Sequence, residues 1–274
     1  MSRFQTIEVS DPRFSPDGMY FITVKSNALN GRGDVVVQIP DNPEGRVLPL
    51  VILLHGVYGS SWAWAFKGGA HRTLSQLIKE KRIPPMILVM PSDGLQGDGT
   101  GYVSNNSADY EQWILETREI VPEVFKEVSL SKKHFICGLS MGGYGALRIA
   151  SKYPYHFLGV SAHSSVVSPE DLKTFIQEPL SSVFPGKQEE YDLLYWLKKH
   201  QEQLPAVRFD CGLEDTLLSA NRTLHQSMLD LGIGHLYQEF AGGHEWPYWE
   251  RHLVDSLLFF GDLFLNEPAL RRIG

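Results

Sequence analysis

A chain of 274 residues with 43% hydrophobic and 21% charged side chains has the balance of an ordinary globular protein and can bury a sizeable core. Its formal charge of −7 argues against nucleic acid or an anionic membrane as a partner recognised through bulk charge. No apolar run reaches the length of a membrane span, and residues 1–8 hold no hydrophobic stretch of signal-peptide type, so a cytoplasmic protein is expected.

The first forty residues read as β-structure. Met19–Val24 and Asp34–Pro40 are β-branched and aromatic runs set apart by turn residues, with Gly31-Arg32-Gly33 as a hairpin turn. From Leu48 onward strands and helices alternate. Leu50–Leu54, Met86–Met90, Phe135–Cys137, Leu158–Ala162 and Val207–Phe209 are short apolar runs, as strands buried on both faces require. Leu236–Phe240 alternates and suits a strand nearer an edge. Helical patterns lie between them. Tyr110–Val128 carries an expected kink at Pro122, Leu217–Leu231 ends at Gly232, and Trp246–Leu265 is a long final helix. The alternation predicts an α/β fold with a mostly parallel central sheet and helices on both faces.

Nothing marks a domain boundary, so residues 1–274 read as one domain. Ser168–Pro205 is too long for a simple connection and opens with the helix-start pattern Ser168-Pro169-Glu170-Asp171. It is expected to form a small cap insertion near the carboxyl ends of the strands, where ligands bind. Cys137 and Cys211 fall in buried strands and read as small hydrophobes, not as a disulfide.

The chemistry concentrates at Gly138-Leu139-Ser140-Met141-Gly142, which follows an apolar strand and opens a helix. That is the context of a nucleophile elbow, a sharp turn whose flanking positions leave no room for side chains. A serine hydroxyl needs a base to take its proton. Among ten histidines, His244 lies just after the last strand and before the final helix, and it is the candidate base. Asp210, Glu214 and Asp215 compete for the acid. Asp215 stands in the loop beyond the strand, where a carboxylate reaches an imidazole, whereas Asp210 reads as a brace for that loop. The oxyanion hole needs two backbone amides, expected from Met141 and Val57. His55 then orders the loop His55-Gly56-Val57-Tyr58-Gly59. Trp64 and Trp246 lie near these loops and are candidate substrate contacts. His163, at a strand end, reads as packing more than as pocket. Asp93–Gly101 lacks the spacing of a calcium loop and is expected to wall the active-site mouth. No metal cluster and no cofactor motif is present.

These residues bring a resemblance with them. The segments Leu53-Leu54-His55-Gly56, Val89-Met90-Pro91, Glu119-Ile120-Val121-Pro122, Gly138–Gly145, Cys211–Asp215 and Gly243-His244-Glu245-Trp246 resemble the esterase D or S-formylglutathione hydrolase-like family of α/β-hydrolases. The likeness is greatest to bacterial tributyrin esterases, and feruloyl and acetylxylan esterases are related. The resemblance implies the α/β-hydrolase fold, a triad at Ser140, Asp215 and His244, and oxyanion donors at Val57 and Met141. It favours Asp215 over Asp210. It also places a strand between those bearing Cys137 and Cys211. Where the family often has Ser-Gly after the strand ending at Ala162, this chain has His163-Ser164-Ser165, so the substrate does not carry over.

The expected function is hydrolysis of short-chain acyl esters or thioesters through an acyl-enzyme. An acyltransferase of the same family and a catalytically dead binding module are the alternatives. The expected partner is a small-molecule ester, with acylated saccharides and thioesters among the open classes. No membrane partner and no nucleic acid is expected, and oligomeric state is not readable.

Overall fold

The computed structural model describes residues 3–41, 43 and 45–266. Eleven strands are present among them: β1 Phe4–Val9, β2 Tyr20–Ser26, β3 Gly31–Gln38, β4 Val47–Leu48, β5 Leu50–Leu54, β6 Ile87–Pro91, β7 Ser129–Leu130, β8 His134–Leu139, β9 Phe157–His163, β10 Ala206–Gly212 and β11 Leu236–Phe240. Nine of them form one sheet in the order β1-β2-β3-β6-β5-β8-β9-β10-β11, while β4 and β7 pair separately. From β6 to β11 the sheet is parallel, and β1 to β3 join its edge antiparallel.

Strand β5 shows why the apolar runs become central strands. Leu50, Ile52 and Leu54 enter the core on one face, and Val51 and Leu53 enter the core on the other. A strand with no polar face is stable only where helices cover both sides. On one side lies the helix Met141–Lys152. On the other lies the final helix Trp246–Asn266 with Ala70–Lys79. β11 is half-exposed, in keeping with its alternating pattern and its place at the sheet edge. The helical stretch after Tyr110 breaks into Tyr110–Glu116, a 3-10 turn and Ile120–Val124, with Pro122 inside the last piece. Gly31-Arg32-Gly33 is not a turn. It begins β3, and the hairpin turns at residues 27–30, where Asn30 has φ +51°.

The insertion between β9 and β10 holds four short helices, Pro169–Leu172, Leu180–Val183, Gln188–Tyr191 and Leu193–Lys199. Its start is a capping box, with Ser168 and Asp171 satisfying each other's backbone amides. Its far half packs beside the helix Met141–Lys152. There the Tyr144 hydroxyl donates to Tyr191 O at 2.6 Å and Arg148 donates to Glu190 O at 3.1 Å. Cys137 and Cys211 are buried free thiols with β9 between their strands. Among the described residues no helix is long and apolar enough to cross a membrane.

Candidate active site

Ser140 stands between the end of β8 and the helix Met141–Lys152 in a strained turn, with φ 53° and ψ −119°. The neighbouring glycines are forced by contact. A Cβ on Gly138 would sit 2.1 Å from Gly142 O, and one on Gly142 would sit 2.3 Å from Leu54 O. The turn therefore closes only with glycine at both positions and lifts the Ser140 side chain to the carboxyl edge of the sheet.

Two loops from the same edge meet it. The loop after β11 brings His244 Nε2 to 2.9 Å from Ser140 Oγ. The loop after β10 brings the Asp215 carboxylate to 3.0 and 3.1 Å from His244 Nδ1. Asp215 has a fully buried side chain, whereas the His244 ring stays partly open to the cleft. Burial opposes the charge on Asp215. The His244 hydrogen bond and the Leu217 amide more than offset it and hold the carboxyl below its ordinary range. Asp215 thus stays an acceptor, and Nδ1 of His244 keeps its proton while Nε2 faces Ser140.

The loop after β5 covers the other side of Ser140. His55 orders it, donating from Nδ1 to Gly56 O at 2.7 Å and accepting the Asp93 amide at Nε2 at 3.1 Å. The close fit explains Gly59, because a Cβ there would sit 2.5 Å from His55 Nδ1. The amides of Val57 and Met141 meet no acceptor among the described residues. Residues 93–101 do not wall the cleft. They brace this loop from behind, with Asp98 O accepting the Tyr58 amide at 2.8 Å, and Asp93 is occupied by the Leu95 and Thr100 amides. No group of three or more metal-ligating side chains occurs among the described residues.

The cleft over Ser140 encloses about 510 Å³ and is lined mainly by apolar and aromatic side chains, including Val57, Trp62, Leu139, Phe175, Trp246 and Trp249. Phe175 comes from the insertion and stacks on the His244 ring at 5.2 Å between centroids. The insertion is fastened here by the Tyr58 hydroxyl, which donates to Phe175 O, and by Asp98, which accepts the Gln177 amide at 2.8 Å. Sequence reasoning did not single out Phe175. Its only signal was a place in the insertion.

Trp246 lines the cleft, but Trp64 does not. Trp64 is buried, donates from Nε1 to Leu54 O at 2.9 Å and supports Trp246 edge-on from beneath. Among the described residues the Asp210 side chain makes no direct hydrogen bond to the acid loop. It lies inside the sheet, where it accepts from Arg208, His163 and the Tyr248 hydroxyl.

Comparison with known proteins agrees with this fold. The family model for esterases matches residues 26–260. An acetyl esterase of Caldicellulosiruptor saccharolyticus is 31% identical over 228 residues, covering 76% of this chain and 82% of that protein. A ferulic acid esterase structure superposes with a TM-score of 0.75 at 25% identity, over 95% of this chain and 99% of the other. The fluorophosphonate-binding serine hydrolase FphF of Staphylococcus aureus superposes with a TM-score of 0.76 at 21% identity, over 88% and 97%. With the family matched over most of its length, the chain belongs to the esterase family and is an enzyme of the α/β-hydrolase fold that hydrolyses esters.

Proposed function

We propose that the protein hydrolyses short-chain acyl esters or thioesters by a Ser140–His244–Asp215 triad through an acyl-enzyme. The observation that carries this reading is the unbroken chain of contacts from Ser140 Oγ to His244 at 2.9 Å and on to buried Asp215, opening into an apolar cleft. His244 Nε2 takes the hydroxyl proton as Ser140 Oγ attacks the acyl carbon. The amides of Val57 and Met141 receive the oxyanion, and the imidazolium then returns the proton to the leaving oxygen or sulfur. Water repeats the cycle to release the acid. Asp215 holds the tautomer and stabilises the imidazolium. A fluorophosphonate probe tests the reading. It should attach covalently to the peptide carrying Ser140, and a protein that stays unlabelled while active would overturn the assignment.

Acyl length should be limited by the insertion. Phe175 covers the cleft over His244, and this cover together with the likeness to tributyrin esterases argues that methylenes beyond butyryl stay in water. Each methylene left unburied forfeits about 0.8 kcal/mol, or about fourfold in kcat/KM. We expect kcat/KM to stop rising beyond butyryl in a series of aryl esters. Phe175→Ala should let the rise continue to longer chains. A steady rise from acetyl to dodecanoyl in the wild-type enzyme would exclude a closed cleft.

A further inference from the structure

Behind the cleft lies a second polar cluster that the proposed chemistry does not use. The sheet register sets Leu139, His163 and Asp210 side by side on β8, β9 and β10. His163 is wholly buried. Its Nδ1 lies 2.9 and 3.0 Å from the Asp210 carboxylate oxygens, and its Nε2 lies 2.8 Å from Ser256 Oγ on the final helix. Ser256 in turn meets Ser161 Oγ at 2.7 Å. Asp210 also accepts from Arg208 and, at 2.8 Å, from the Tyr248 hydroxyl.

His163 and its partners reach the three segments that carry triad members. The His163 backbone carbonyl accepts the Ser140 amide at 3.0 Å, so the strand end that the side-chain clasp anchors is bonded to the strained elbow. Asp210 precedes Asp215 by five residues on the same strand and loop. Ser256 and Tyr248 belong to the helix that begins at Trp246, immediately after the His244 loop.

We propose that His163 is a positioning residue of this esterase, tying together from the core the three segments that present Ser140, Asp215 and His244. The proposal rests on the triad reading above. His163 lies outside the cleft lining, so its effect falls on the alignment of the reacting groups and not on substrate binding. Misplacement of catalytic groups by a fraction of an ångström costs rate steeply.

The protonation state of the ring supplies a readout. Burial opposes the imidazolium, but the Asp210 carboxylate, with the Cys137 sulfur, more than offsets it and raises His163 to about 9. The other charged and titratable groups facing the cluster are Arg208 on β10 and, on the final helix, Tyr248 and Asp255. Asp255 stands 3.9 Å from Arg208. Charged, His163 donates at both nitrogens, to Asp210 and to Ser256. Once neutral, it has one donor left and Asp210 loses a counter-charge, so the clasp loosens. The sign follows: alignment is intact below about pH 9 and is lost as pH rises through it.

The test is kcat and KM for a soluble short-chain ester from neutral into alkaline pH, with spontaneous hydrolysis subtracted. Wild type, Ser256→Ala and His163→Gln are compared. Wild-type kcat should fall above pH 9 with KM nearly unchanged. Ser256→Ala removes the acceptor at Nε2 and should move that fall to lower pH. His163→Gln should lose the alkaline fall and lower kcat at neutral pH by about tenfold. A merely structural role would lower the melting temperature and leave the pH profile alone. A flat wild-type profile, or a Ser256→Ala profile identical to wild type, would overturn the proposal, and Ser256→Ala carries the test if His163→Gln does not fold. Failure of the triad reading is distinguishable, because Ser140→Ala would then remain active.

Discussion

Ser140→Ala should yield a folded protein whose kcat on a short-chain ester is lower by about 10⁴-fold or more. The hydroxyl is the group that becomes acylated, and among the described residues no other hydroxyl hydrogen-bonds His244 Nε2. Removing it leaves the oxyanion amides and the cleft, which by themselves sustain only slow catalysis by water. Folding should survive, because among the described residues the Oγ hydrogen-bonds only His244, and alanine tolerates the turn no worse than serine. The check is single-turnover and steady-state kinetics on protein whose circular dichroism matches wild type. Retention of more than a few per cent of activity would place the nucleophile elsewhere.

Asp215→Asn and Asp210→Asn should fail in different ways. An amide at 215 can offer its NH₂ to His244 Nδ1 and so favour the tautomer whose proton points at Ser140, which then cannot act as a base. The same defect in a serine protease costs about 10⁴-fold in kcat. We expect a loss of that order here, with KM and the melting temperature little moved. Asp210 is different, because it is the carboxylate facing Arg208 and His163 in the core. Deleting one charge of a buried pair strands the others and typically costs about 3–5 kcal/mol. Asp210→Asn should therefore unfold at markedly lower denaturant concentration. If Asp210→Asn were as stable as wild type and Asp215→Asn near full activity, the acid would be misassigned.

How far the sequence foretold this arrangement depends on whether the signal was local. The central strands were legible because strands covered on both faces must be apolar throughout, as Leu50–Leu54 is. The elbow was legible because its steric demand falls on five consecutive residues. β1 fell within the β-reading of the first forty residues but was not singled out: Phe4–Val9 lies at the sheet edge, and only Phe4 of its six residues is buried, so no apolar run announces it. Trp64 was misjudged because nearness in sequence to a catalytic loop does not say which way a side chain points, and its indole is held by Leu54 O in the core. Asp210 and His163 were underrated for a related reason. Their partners lie on other strands and on a helix beginning more than thirty residues later, and only the register brings them together.

The backbone at Ser140 has a consequence for how this protein changes over generations. Its φ of 53° with ψ −119° is a conformation that every residue except glycine occupies at a cost of about 1–3 kcal/mol. Selection for thermal robustness alone would drift that position toward glycine and abolish turnover on the way. The enzyme therefore keeps its nucleophile only under continuing selection for activity, while the packing around Gly138 and Gly142 absorbs the cost. A lineage released from that selection should lose the serine early and the fold late, leaving stable, inactive descendants with the same sheet.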